Sequence, residues 1–258
     1  MNNKAENKKR LNDELYKVVN DIKVSSAIRC KKVKYLIYLG ADVNAKNFQG
    51  MTALMSAVFK NDLDMVSLLI ENGADVNVKG TSSDEYKTPL MVAVMKENLE
   101  IARLLVENGA NVDEYDGVRE RALEIAVGRD NFEIAKLLID NGSDVNKGGF
   151  CGMRVLQKVK SVKLAQMLIE KGAELDARDY FGKTAIMSLA EVALPRIDVI
   201  KYLLELGADV DTRTRNGKDM LGEFDLEIVK LLKEYKKKNK EKNKDKSFWG
   251  NILNGWGR

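Results

Sequence analysis

Residues 88–112 read TPLMVAVMKENLEIARLLVENGANV, and the architecture follows from them. Thr88 is suited to cap the first amides of a helix, and Pro89 follows where a missing N–H costs nothing. The apolar run from Leu90 to Val94 predicts a short helix, and IARLLVEN from Ile101 predicts a second. Gly109 stops that second helix, because the residue just past a last turn commonly adopts a left-handed conformation that glycine reaches without steric cost. The unit is helix, tight turn, helix, glycine stop and extended loop.

The same phrase recurs on both sides of this stretch. GADVN begins at Gly40 and Gly73, GANVD at Gly109, GSDVN at Gly142, GAELD at Gly172 and GADVD at Gly207, spaced by 33, 36, 33, 30 and 35 residues. An apolar segment precedes each glycine, and Thr52 in TALMSAV repeats the role of Thr88. Met65, Val66, Leu68, Leu69 and Ile70 leave no polar face wide enough for a lone surface helix, so such helices must be sandwiched between others. A supersecondary unit that recurs at this period builds a stack.

TPLMVAV and LLVENGANV resemble the two signature halves of the ankyrin repeat, and the resemblance covers residues 11–235, about seven units with degenerate terminal ones. It implies an all-α solenoid of stacked helix-turn-helix units with projecting hairpin loops, the loop fingers and first helices together making a concave face. The family's TPLHxA histidine, whose hydrogen bonds tie neighbouring units, is replaced by Met55, Met91, Glu124, Gln157, Met187 and Gly222. At the methionines, packing is expected to substitute for hydrogen bonding. Length changes fall in turns and loops, where they cost little chain entropy: residues are lost between Val159 and Val162, gained between Leu189 and Ile197, and added within GTSSDEYK. KDMLGEFDLEIVKLL has a shortened first helix and reads as a terminal cap.

Composition narrows the chemistry. Among 258 residues there is no histidine, which removes imidazole bases, histidine-assisted nucleophiles and histidine-ligated zinc. Cys30 and Cys151 stand far apart without metal-binding spacing and are expected to be buried thiols. Neither a secretory signal nor a membrane-length apolar run is read, so a cytoplasmic location is expected, an exported effector being the alternative.

Gly182, Lys183 and Thr184 spell the end of a phosphate loop, but residue 177, where the first glycine belongs, is alanine. They align instead with finger-to-helix junctions of other units. Gly148, Gly149 and Gly152 read as a finger shortened into a flexible turn. The carboxylate pairs Asp62 with Asp64 and Asp84 with Glu85 sit on turns or fingers expected to be wet, and unshifted carboxylates are poor general acids at neutral pH. No catalytic residue, cofactor site, metal site or small-molecule substrate is expected.

Binding is the better reading, since the resemblance implies recognition by variable finger and first-helix positions. Those positions hold Phe48, Phe150, Tyr180 with Phe181, and Arg215 on the fingers, Met51 and Tyr86 beside them, and Phe59 with Lys60, Met95 with Lys96, and Arg129 on the first helices. Exposed aromatics that the scaffold does not need are typical partner anchors. The alternative, that each folds back on a neighbouring finger, stands beside it.

Charge is unevenly placed. Residues 1–10, a basic arm, carry four cations against Glu6; residues 236–258 carry seven lysines and Arg258 against Glu241 and Asp245; the 11–235 array is acidic by difference, the whole chain being +4. The 236–258 segment is a lysine-rich linker followed by SFWGNILNGWGR, in which Trp249, Ile252, Leu253 and Trp256 form one apolar stripe if helical. Gly250 and Gly255 oppose that helix by ~1 kcal/mol each, so it should form only against something. A partner or self-docking role is expected first, weak contact with an anionic membrane second. Sequence-specific nucleic-acid binding is not expected, because the acidic body repels a duplex and carries no base-reading element. The reading as a whole is a non-enzymatic scaffold presenting its concave face and fingers to an unidentified protein partner, the alternative being a membrane-surface or secreted effector scaffold that uses the tail.

Overall fold

The computed structural model describes residues 2–80, 86–192, 194–217 and 226–237. The chain divides into two compact units, 1–150 and 151–258. In the first, α1 (Asn2–Asn20), α2 (Ser26–Tyr38), α3 (Ala53–Phe59), α4 (Leu63–Glu71), α5 (Pro89–Met95), α6 (Leu99–Glu107), α7 (Ala122–Gly128) and α8 (Phe132–Asp140) pair as successive hairpins. α1, α3, α5 and α7 pack as one layer, and α2, α4, α6 and α8 as the other. Leu54, Leu69, Leu90, Leu105, Leu123 and Leu138 are fully buried between the layers. Truncating any one of them to alanine would cost about 2–5 kcal/mol. α1 runs without interruption across the Arg10–Leu11 boundary drawn from sequence.

The glycine stops behave as the sequence predicts. In α4 the Gly73 N–H donates to Ile70 O (2.9 Å) and the Ala74 N–H to Leu69 O (2.9 Å), with Gly73 at φ +84°. The same pair of bonds closes α2 at Gly40, α6 at Gly109 and α8 at Gly142, so orphan carbonyls of each helix end are satisfied by its own exit. Thr52 and Thr88 each accept from the amide three residues on, Met55 and Met91, at 3.3 Å.

A ladder of side chains ties these helix exits together. Asn44 donates to Gly73 O (3.0 Å) and accepts from the Asp75 N–H (2.7 Å); Asn77 donates to Gly109 O (3.0 Å) and accepts from the Asn111 N–H (2.7 Å). At the start of the stack α1 supplies the missing rung, Asn12 Oδ1 accepting from the Asp42 N–H at 2.8 Å. The next rung is Asp113, which accepts from the Asp144 N–H (3.2 Å) and the Ser143 hydroxyl (2.8 Å). A carboxylate cannot donate to a glycine carbonyl, and its charge needs a partner.

That partner is Arg121, which stands where Thr52 and Thr88 stand in earlier units and is wholly buried. Its Nη1 donates to Asp113 Oδ1 (2.8 Å) and Asp144 O (3.0 Å), its Nη2 to Glu124 Oε1 (2.6 Å) and Lys147 O (2.9 Å), and its Nε to Glu124 Oε1 (3.0 Å). All five guanidinium N–H groups are used. Burial by itself pulls the guanidinium pKa down, but the charge and hydrogen bonds of Glu124, and then the charge of Asp113, outweigh it and hold the group above its ordinary value.

The expectation about the lost histidines therefore needs correcting. Met55 does pack, its Cε lying where a Cβ on Gly80 would meet it at 3.1 Å. Met91, however, places its sulfur 3.5 Å from the Thr88 N–H, and Glu124 Oε2 accepts from the Arg121 N–H at 3.1 Å. At Met91 and Glu124 hydrogen bonding is thus retained by other chemistry.

The second unit carries the shortened repeat. Its first helix is reduced to a single 3₁₀ turn, Val155–Lys158, followed by α9 (Val162–Glu170), α10 (Ala185–Glu191), α11 (Ile197–Glu205) and a helix at 226–237, α12. Losing the turn between helices leaves room for only one turn before Val159 runs extended (φ −64°, ψ 143°) into α9. Gln157 accepts from the Arg154 N–H (2.6 Å) and donates to Lys183 O (3.1 Å) and the Ser188 hydroxyl (3.0 Å), another replacement for the tie. The inserted residues after α10 begin with Val192 in extended conformation, and Leu194 is exposed.

Candidate functional site

Three finger tips among the described residues are each pinned by one Asx side chain. Asn47 Oδ1 accepts from the amides of Gln49 and Met51 (both 2.9 Å), and its own N–H donates to Met51 O. Asp116 repeats this with Val118 (3.0 Å) and Glu120 (2.8 Å), and Asp179 with Phe181 (2.9 Å) and Lys183 (2.9 Å). A side chain mimicking a turn's backbone in this way fixes the residue that follows it at the tip. Phe48, Gly117 and Tyr180 occupy that place.

The sequence candidates divide by what holds them. Phe48 is 95% exposed, while Phe150, Tyr180 and Phe181 are each a little over half exposed. Tyr180 folds back in part: its N–H donates to Cys151 O at 2.9 Å, and its ring lies 2.5 Å from where a Cβ on Gly152 would stand. Only glycine fits there, so this glycine is a packing requirement rather than a flexible turn. Phe181 O accepts from the Arg215 N–H (2.9 Å), which joins the next finger to it, and the Arg215 side chain is exposed. Met51 is half-buried and Tyr86 exposed at φ +52°. Asp84, Glu85, Trp249, Ile252, Leu253 and Trp256 lie outside the described residues.

On the short helices the first unit presents two parallel rows. Phe59, Met95 and Gly128 are the last residues of α3, α5 and α7, and Lys60, Lys96 and Arg129 are the residues that follow them. Phe59 and Met95 are exposed, and a Cβ on Gly128 would meet nothing within 4 Å, so the apolar row steps down from a phenyl ring to an empty floor. Cations at helix C-termini also offset the negative end of the helix dipole. Lys96 Nζ lies 3.9 Å above the Phe59 ring, and Arg129 Nη1 pairs with Glu97 at 3.3 Å. Lys60 is committed elsewhere. It donates to Asn20 O at 2.7 Å, and burial, then the nearby Arg29 charge, pulls its pKa down. It caps α1 instead of facing a partner.

The other chemical candidates resolve into scaffold. Asp62 accepts from the Ser26 hydroxyl (2.7 Å) and the Met65 N–H (3.2 Å) and pairs with Arg29 (2.6 Å), which makes it a helix cap and an ion-pair partner. Lys183 pairs with Glu191, and its carbonyl binds Gln157, so the GKT triplet is a finger-to-helix junction. Cys30 and Cys151 are half-buried free thiols rather than buried ones; desolvation, opposed by a Ser26 hydrogen bond, pushes the Cys30 thiol up. Among the described residues no group of three or more Asp, Glu or Cys could hold a metal ion, and no helix is long and apolar enough to cross a membrane.

Paired helices stacked in two layers define a helical-repeat protein. The family model described as ankyrin repeats (three copies) matches residues 24–80 and 78–148, and the chain belongs to the ankyrin-repeat family. Repeats of this family generally mediate protein–protein interaction and are typically non-enzymatic. Among curated proteins, the chain is 39% identical over 67 residues to the human (Homo sapiens) mitochondrial disaggregase, covering 26% of this chain and 10% of that one. It is 38% identical over 76 residues to ankyrin repeat and SAM domain-containing protein 6 of Mus musculus, covering 27% of this chain and 8% of that one. The chain thus spans about a tenth or less of the length of these relatives.

Proposed function

We propose that this protein is a non-enzymatic adaptor whose first unit binds an acidic, apolar-anchored segment of a protein partner across the ends of α3, α5 and α7. The observation that carries the reading is the pairing of rows: Phe59, Met95 and the open floor at Gly128 lie beside Lys96 and Arg129. Phe59 and Met95 leave apolar surface exposed there, and that surface supplies anchors. The cations favour carboxylates and steer encounter. Phe48, thrown outward by the Asn47 turn, extends the anchor set to the fingers. A cytoplasmic setting suits two unpaired thiols.

The test is co-purification from native cells with the full chain and with Phe59→Ser/Met95→Ser. Loss of one or more partners from the variant is expected, and Lys96→Glu alone, as a third protein, should weaken the same partner. An identical partner set for all three proteins would exclude this face.

A further inference from the structure

The second helix carries a surface that neither the fingers nor the short-helix row explains. α2 packs on α1 and α4 through Val33 and Leu36, with Arg29 turned inward to Asp62 at 2.6 Å. At 100° per residue, Ile28, Lys31, Tyr35 and Tyr38 fall on the opposite face, with Lys32 and Lys34 along its edges. Tyr38 is 84% exposed, Tyr35 61% and Ile28 51%. Ser26–Tyr38 contains no carboxylate, and none of the three lysines makes an ion pair with a described residue.

We propose that this face of α2 is an adhesion site for an anionic lipid bilayer, lying in the interface plane. Three features favour a bilayer over an acidic polypeptide. The face is a ridge, with its tyrosines standing out from the helix, and a ridge offers no pocket to receive a partner's side chain. Tyrosine places an apolar ring below a hydroxyl that stays at the headgroup level, the preference seen at membrane interfaces. Lysines at the edges can lay their stems along the apolar strip and keep their ammonium groups among the phosphates. An α2 laid down in this way has Val33 and Leu36 still buried against the stack, so adhesion needs no unfolding.

The full chain is floated with vesicles of phosphatidylcholine, with and without about 30% phosphatidylserine, at low and physiological salt. Association is expected with the anionic vesicles only and should weaken with salt. Each lysine removed should cost about fivefold, so Lys31→Gln/Lys32→Gln/Lys34→Gln should bind about a hundredfold less. Tyr35→Ser/Tyr38→Ser, which keeps the charge, should also bind less tightly; both variants alter exposed side chains and should keep the helical circular-dichroism signal. Equal binding by wild type and both variants overturns the proposal, as does no preference for the anionic vesicles. Binding to polyglutamate that depends on α2, without vesicle binding, assigns the face to an acidic polypeptide and overturns it equally.

Discussion

Arg121 and Glu124 stand three residues apart and meet three times: the guanidinium donates to Glu124 Oε1 through Nη2 at 2.6 Å and Nε at 3.0 Å, and the Arg121 backbone N–H donates to Oε2 at 3.1 Å. One carboxylate thus caps the helix and neutralises the cation that replaced the usual threonine cap. Neither residue is exposed. The pair is intelligible only with Asp113, which trades the amide of Asn44 and Asn77 for a second negative charge on Arg121.

Removing the carboxylate alone should be costly. Glu124→Met leaves a buried guanidinium short of its main counter-charge and is expected to destabilise by about 3–5 kcal/mol. Arg121→Thr/Glu124→Met, which restores the residues that the second and third units use, should recover most of that. Adding Asp113→Asn should bring stability to the wild-type value or above it. Urea midpoints of the three variants decide this; equal losses for single and double variants would show that the cation is not what Glu124 serves.

The Asn ladder gives a smaller, graded effect. Asn77→Ala removes both the bond to Gly109 O and the acceptor for the Asn111 N–H. With two exposed hydrogen bonds lost, the cost should be about 1–2 kcal/mol. Asn77→Asp keeps the acceptor and loses the donor, so its midpoint should fall between wild type and alanine. Native-state hydrogen exchange at Asn111 should speed up with alanine and not with aspartate. Equal exchange rates in both would mean that the side chain does not hold the next unit's exit.

Acid should find two specific weak points. The Lys79 hydrogen bond holds the Glu114 carboxyl below its ordinary value, and the Thr212 hydroxyl, with the Asp211 N–H, does the same for Asp209. Because the folded-state pKa values are depressed, the unfolded chain takes up protons first as pH falls. The stabilisation is therefore complete above the unfolded values, roughly pH 4, and is lost as pH falls through the folded ones. Glu114→Gln and Asp209→Asn should each be less stable than wild type at neutral pH, with the gap closing as pH falls through the depressed folded-state values. Midpoints that stay apart at low pH would assign the losses to packing.

Sequence alone determined the repeat, its helix pairs and its stops, because those depend on local geometry. A glycine past a last turn, a threonine before a first one and an apolar face too wide for water each act within a few residues. It also placed Phe48, Phe59 and Met95 on the surface that the proposed binding uses. What it did not reveal depended on residues brought together across units. Nothing in the local sequence marks Arg121 for burial, and only the approach of Asp113, Glu124 and two carbonyls of the following loop explains it. Lys60 reads as a binding residue until α1 ends against it, and Gly152 as a flexible turn until the Tyr180 ring closes over it. A charge or a glycine takes its meaning from the partners that desolvate it, and the groups that complete these three sites, Asp144 O and Lys147 O for Arg121, Asn20 O for Lys60 and the Tyr180 ring for Gly152, lie 20 or more residues away, beyond the reach of any local pattern.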